Sequence, residues 1–163
     1  KATSERFFRD YLGGLSTPTR LGLARPEDGP QDPSREHPEL HVALSAPEME
    51  ILRAFTKRHG LTVNTVLQGA LAQVLGRYTG GTDVVFGVTT SGRSAPVAGI
   101  ERMVGLFINT LPLRAQWSGA EPVTRWMRAL QSQQAEVRAH EATPLYEIQR
   151  WSAVIKAANI KAD

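Results

Sequence analysis

Apolar residues recur at helical spacing over four stretches of the chain and alternate over two others. The clearest run is Thr62–Tyr78, where Val63, Val66, Leu67, Ala70, Leu71, Val74, Leu75 and Tyr78 predict a core helix packed against a sheet and ended by Gly80-Gly81. Ser4–Leu15 places Phe7, Phe8, Tyr11 and Leu12 on one side before Gly13-Gly14 stops the helix. Ser45-Ala46-Pro47-Glu48 reads as a capping box with proline in the first turn. The helix after it carries Met49, Leu52 and Phe55 on one face and ends at His59-Gly60. The last long helix spans Glu121–Ala142, with Val123, Trp126, Met127, Leu130 and Val137 on one stripe.

Alternation predicts strands. Leu40, Val42 and Leu44 alternate in Glu39–Ser45, a short strand. Before it, Pro18–Pro38 holds five prolines among many charges (Pro18, Pro26, Pro30, Pro33, Pro38) and is expected to be a mobile surface loop. In Asp83–Arg93, Val84, Phe86, Val88 and Thr90 share one face while Val85, Gly87, Thr89 and Ser91 share the other. Gly87 leaves room for a close approach, Thr89 and Ser91 bring hydroxyls to the strand end, and Gly92 permits a sharp departure. A strand that turns polar just before a glycine turn is a place for a ligand. After a short amphipathic element, a second strand ends in Leu111-Pro112-Leu113-Arg114.

Composition narrows the functional classes. The 163 residues suit one domain with a sizeable core, and 41% hydrophobic with 21% charged residues is ordinary for a globular protein. A net charge of +3 with scattered arginines leaves no basic stripe for nucleic acid. The absence of cysteine excludes disulfides, thiol catalysis and thiolate metal sites. No apolar run is long enough to cross a bilayer, and no hydrophobic region follows Lys1–Glu5 as a signal peptide requires, so a cytoplasmic location is expected. Neither a nucleophile elbow, a phosphate loop nor a His-Glu-x-x-His zinc pair occurs.

The segment Val104-Gly105-Leu106-Phe107-Ile108-Asn109-Thr110 closely resembles the Ile/Val-Gly-x-Phe-Val-Asn-Thr pattern in the C-terminal lobe of nonribosomal peptide synthetase condensation domains. His140 and Pro144 match a second, weaker pattern of that lobe, from which Glu141, Ala142, Thr143 and Leu145 depart; Tyr146–Trp151 resembles the sequence that follows it. The resemblance implies an α/β lobe of the chloramphenicol-acetyltransferase-like type, a mixed β-sheet with helices packed on one face. It assigns 1–152 to that lobe and leaves 153–163 as a tail outside it.

The family's catalytic motif, His-His-x-x-x-Asp-Gly, belongs to the N-terminal lobe and is absent here. His37, His41, His59 and His140 are the four histidines; no two are adjacent, and none has Asp four positions on. His37, His41 and His59 fall near loops or helix ends and read as solvated or capping. The resemblance therefore implies no catalytic residue in this chain and no peptide-bond formation by the chain alone.

What it does imply is a supporting wall. Thr89, Ser91, Gly92, Arg93, Gly105 and Asn109 would line or support the tunnel between lobes, with Ser91 facing the chamber, Arg93 bracing the loop and Asn109 orienting backbone. The implied reaction is amide formation between two thioesters on carrier proteins, so no cofactor binds directly and the phosphopantetheine belongs to the carriers. Implied partners are the N-terminal lobe, donor and acceptor carrier proteins and an adjacent adenylation domain, with no nucleic acid and no membrane. The alternative is a non-catalytic module that docks a carrier or partner protein.

Overall fold

A computed structural model of the chain describes residues 2–15, 17–21, 41–93 and 97–151. Its elements are α1 (Ala2–Tyr11), α2 (Ala46–His59), α3 (Val63–Thr79), β1 (Asp83–Thr90), a 3-10 turn (Ile100–Arg102), β2 (Asn109–Gln116), α4 (Val123–Arg138) and α5 (Leu145–Trp151). β1 and β2 pair antiparallel, from Asp83 opposite Gln116 to Thr90 opposite Asn109. Among the described residues this pair is the whole sheet, set among helices in an α/β arrangement.

Neighbouring strand residues point to opposite faces, and Val84 and Val85 are 0% and 2% exposed, so both faces are covered at this end of the ribbon. One apolar cluster joins Val85 and Leu111 to Phe8, Leu12 and Leu15 at the N-terminus and to Val137 and Ile148. The other joins Val84, Leu113 and Ala115 to Leu61, Ala72, Trp126, Met127 and Leu130.

A polar knot ties α1 to the ribbon. Arg114 is buried and forks onto Asp83, with Nε donating to Oδ1 at 2.9 Å and Nη2 to Oδ2 at 2.7 Å. Its Nη1 donates to the carbonyls of Tyr11 (3.0 Å) and Gly13 (2.7 Å), and its backbone N–H donates to the Tyr11 hydroxyl at 2.7 Å. Burial pushes the Tyr11 phenol far above its ordinary value, against the opposing pull of the Arg114 N–H. The hydrogen bonds it donates to Asp83 hold Arg114 more firmly protonated. A buried cation is tolerable only when its donors are satisfied in this way.

The capping box forms as the sequence predicts. Ser45 accepts from the Glu48 N–H, Glu48 reaches back to the Ser45 N–H at 2.7 Å, and Gly60 closes α2 in the left-handed region at φ 66°. The expected helices over Ser4–Leu15 and Glu121–Ala142 are shorter, ending at Tyr11 and spanning Val123–Arg138.

Two expectations are corrected. In Glu39–Ser45, residues 39–40 lie outside the described residues, and His41–Ser45 is not a strand; Val42 is 82% exposed. Alternation makes a strand only beside an edge that accepts its hydrogen bonds, and none pairs with it among the described residues. In α3 only part of the apolar stripe faces the core: Val66 and Leu75 pack against the second cluster beside the buried Thr65, Gly69, Ala72 and Gly76, while Leu67, Leu71, Val74 and Tyr78 are exposed. Small residues let the helix approach Trp126 and Trp117: a Cβ at Gly69 would sit 3.4 Å from the first, and one at Gly76 would sit 2.5 Å from the second. Most of the Pro18–Pro38 loop and all of the 153–163 tail lie outside the described residues.

Candidate functional site

β1 loses its apolar character after Val88 and delivers Thr89, Thr90 and Ser91 to the end of the ribbon. There they line a cleft of about 320 Å3, with Asn64 and Gln68 from α3 and Gln134 and Arg138 from α4. Leu111, Pro112, Leu113 and Val137 supply apolar wall, and Glu141, just past α4, completes the lining. Side-chain amides and hydroxyls dominate the polar part, and Arg138 and Glu141 bring one charge of each sign. Among the described residues, no histidine lines the cleft. Such a wall can orient a ligand through hydrogen bonds, but it offers no neutral-pH base.

The chain then turns at Gly92 (φ 66°), where a Cβ would meet the Phe107 carbonyl oxygen at 1.8 Å. Only glycine fits so close to that backbone. Arg93 leaves the cleft and braces the following loop. Its Nη1 donates to the carbonyls of Ile100 (2.8 Å) and Met103 (3.1 Å), and its guanidinium lies 4.7 Å from the centre of the Phe107 ring. Gly105 is exposed beside that ring. The loop held in this way presents Val104 and Leu106 to solvent, at 103% and 87% exposure.

Asn109 lies outside the cleft lining yet supports it. Its Nδ2 donates to the carbonyls of Glu141 (2.7 Å) and Thr143 (2.8 Å), while Oδ1 accepts from the Thr110 N–H at 2.9 Å. One amide thus fixes the turn after α4 against the start of β2. Of the six residues named from sequence, the structure places Thr89 and Ser91 in the cleft lining. Gly92 and Arg93 lie at its exit, Gly105 in the braced loop and Asn109 behind the wall.

Sequence reasoning missed Asn64, Gln68, Thr90, Gln134, Arg138 and Glu141. Asn64 with Gln68, and Gln134 with Arg138, stand four apart, so each pair forms a polar stripe on its helix. That spacing was the available signal. It was hidden in α3 by the assumption that the apolar stripe marks the core.

His140 packs away from this chemistry. Its ring stacks on Phe7 at 4.2 Å and its Nδ1 lies 3.1 Å from the Ser4 hydroxyl, sealing α1 against the turn after α4. Among the described residues no three His, Cys, Asp or Glu side chains group as a metal site, and no helix is long and apolar enough to cross a membrane.

A family model described as the condensation domain matches residues 2–161. The chain belongs to the condensation-domain family. It is 43% identical over 157 residues to a linear gramicidin synthase of Brevibacillus parabrevis, covering 96% of this chain and 3% of that protein. It is 44% identical over 153 residues to chondramide synthase cmdD of Chondromyces crocatus, covering 93% and 4%. The chain therefore spans a small fraction of the synthetases it matches.

Among solved structures, the X-domain from teicoplanin biosynthesis superposes with a TM-score of 0.74 at 26% identity, over 99% of this chain and 34% of that one. The first condensation domain of the calcium-dependent antibiotic synthetase superposes with a TM-score of 0.70 at 22% identity, over 91% and 32%. The second likeness is one of fold alone. Together they place the chain's α/β arrangement within the condensation-domain fold, of which it spans about a third.

Proposed function

We propose that this chain is the C-terminal lobe of a condensation domain that forms amide bonds between carrier-bound acyl thioesters, with 1–152 as the lobe. The observation that carries the reading is the polar end of β1: Thr89 and Ser91 open into a cleft of about 320 Å3 that, among the described residues, no histidine lines. This is a wall of a reaction chamber without its base. In the complete domain the acceptor amine attacks the donor thioester carbon; the C–N bond forms, the C–S bond breaks, and the thiol leaves with the proton lost by the amine. This lobe's share is positioning, which converts two tethered substrates into near neighbours. The proton is handled by the N-terminal lobe's histidine motif.

The phosphopantetheine arrives on donor and acceptor carrier proteins, an adenylation domain loads them, and the whole assembly works in the cytoplasm. The test mixes the chain with aminoacylated donor and acceptor carriers, with and without a separately expressed N-terminal lobe, and follows dipeptidyl thioester by mass spectrometry. Turnover is expected only with both lobes. Turnover by the chain alone overturns the half-enzyme reading; carrier binding without turnover when both lobes are present favours the docking-module alternative.

Ser91 separates wall from catalyst. Ser91→Phe is expected to obstruct the chamber with the fold intact, whereas Ser91→Ala leaves turnover within about threefold, since its hydroxyl moves no proton. Abolished turnover in Ser91→Ala would make Ser91 a catalytic group.

A further inference from the structure

The two edges of the β1–β2 ribbon are unlike. In an antiparallel pair, opposed residues alternate between those that bond each other and those whose N–H and C=O point outward. Val85 stands opposite Arg114, and the N–H of each is taken from outside the ribbon: Val85 donates to the Thr19 hydroxyl at 2.8 Å and Arg114 to the Tyr11 hydroxyl at 2.7 Å. This pair therefore faces outward. So do the pairs at two-residue steps from it: Asp83 with Gln116, Gly87 with Pro112 and Thr89 with Thr110.

On β2 the outward positions are closed one after another. The Thr110 N–H donates to Asn109 Oδ1 at 2.9 Å, and Pro112 has no N–H to offer. The Arg114 N–H is held by Tyr11, and the Gln116 carbonyl accepts from Trp126 Nε1 at 2.7 Å. Thr110, Pro112 and Arg114 are also buried. Proline and covered backbone are what stop a sheet from growing at an edge. β1 is different. Past the Thr19 contact, Gly87 and Thr89 are exposed, and among the described residues no hydrogen bond from outside the ribbon reaches their backbone. Val84 to Gly92 includes neither a charged residue nor a proline, so no such device protects this edge.

We infer that the Gly87–Ser91 edge of β1 is a docking surface for one further, uncharged β-strand, supplied by the part of the condensation domain that lies outside this chain. The occupant follows from length and chemistry. The chain spans 34% and 32% of two solved relatives, so most of the fold that could cover the edge lies outside it. A two-stranded ribbon is marginal alone, and a third strand is the ordinary way to complete it. The open backbone offers N–H and C=O groups in the alternation that an extended chain meets, and its uncharged side chains set no demand for an ionic partner. The inference rests on membership of the family and not on the proposed reaction.

The test reads amide hydrogen exchange by 15N NMR. In the dilute chain alone, Gly87 and Thr89 are expected to exchange at nearly the unprotected rate, and Thr110 and Arg114 far more slowly. The whole domain is then made by setting this chain in place of the 157 matching residues of the linear gramicidin synthase relative. There Gly87 and Thr89 should slow by about a hundredfold or more. Protection of both amides in the chain alone, or unslowed exchange in the whole domain, overturns the inference.

A peptide probe makes the test independent of whether that hybrid folds. Acetyl-Thr-Val-Thr-Val-Thr-amide at millimolar concentration is expected to shift the backbone resonances of Gly87 and Thr89 in the chain alone and to leave those of Thr110 and Arg114 in place. Thr89→Pro takes away a donor on the open edge and spares the bonds to β2, as Pro112 does on the other side, and should remove the shift at Gly87. Shifts along β2 instead, or along neither strand, overturn the inference.

Discussion

Gly69 and Gly76 stand two turns apart on the buried face of α3, and the same change at each should move stability in opposite directions. An alanine in a helix interior is favoured over glycine by about 1 kcal/mol through backbone entropy. At Gly69 an added Cβ meets Trp126 at 3.4 Å and the Met127 methyl at 3.5 Å, which is ordinary packing distance. Propensity wins there, and Gly69→Ala is expected to stabilise by about 0.5–1 kcal/mol. At Gly76 the Cβ would lie 2.5 Å from two ring carbons of Trp117 and 2.7 Å from the Gly81 carbonyl oxygen. The ring can yield, but the backbone oxygen is part of the turn that ends the helix, because the Gly81 N–H is bound to the Gly76 carbonyl at 3.1 Å. Overpacking costs about 1–3 kcal/mol, and approaches this close belong to its upper part, about 2–3; less the roughly 1 kcal/mol of helix propensity gained, Gly76→Ala is expected to lose a net 1–2 kcal/mol.

The two variants should therefore differ by about 1.5–3 kcal/mol in urea unfolding. At about 2–4 °C per kcal/mol for a chain of this size, that is some 3–12 °C in Tm. Trp117 fluorescence should change in the second variant and not in the first. A Gly76→Ala protein as stable as the unmodified chain would refute the reasoning, because it would mean that small residues on α3 do not set its approach to the tryptophans.

Asn109→Ala removes three hydrogen bonds, two of them to the carbonyls of the turn after α4, so a loss of about 2–4 kcal/mol is expected in urea unfolding; a loss under 0.5 kcal/mol would deny Asn109 its supporting place. Asp83→Asn leaves the Arg114 cation without its carboxylate; since Asp83 is about a third exposed, the expected cost is about 1–3 kcal/mol, below that of a fully buried pair. The hydrogen bonds from Ser45 hold Glu48 below the ordinary glutamate value. A depressed folded-state value means that the stabilisation is complete above the unfolded value and is lost as pH falls through the folded one, so Glu48→Gln should flatten the acid limb of stability against pH. The exposed apolar residues of α3 and of the 103–108 loop should drive concentration-dependent self-association of the isolated chain, seen by sedimentation and relieved by co-expression with the N-terminal lobe.

The elements legible in the sequence are those whose signals are local. The Ser45–Glu48 capping box, the Gly60 and Gly80 caps and the polar end of β1 all follow from neighbouring residues. What escaped is what depends on partners distant in sequence. Val42 and Leu44 alternate like a strand, but a strand exists only where an edge pairs with it. Arg114 looks like a strand end until Asp83 and the carbonyls of Tyr11 and Gly13 converge on it. The cleft needs α3 and α4 side by side, which no periodicity announces. Thr89 and Ser91 were legible because the strand they close turns polar just before Gly92; Gln68 and Gln134 carry no motif.

The misreading of α3 has a physical reason of its own. A helix with one buried face separates apolar from polar residues, and the apolar stripe then marks the core. α3 carries one charged residue, Arg77, in seventeen positions. Its small residues are buried in this chain, while Leu67, Leu71, Val74 and Tyr78 stand exposed on another side at 53, 46, 49 and 65%. A sequence without charge on either side belongs to a helix covered on both, so periodicity could not tell which stripe this portion of the fold would bury. The solved relatives are about three times as long as this chain: it spans 34% of the teicoplanin X-domain and 32% of the antibiotic-synthetase domain. On the proposed reading, the second stripe of α3 is apolar because the remainder of the domain covers it, and the stripe's exposure here and the absent histidine motif have the same origin.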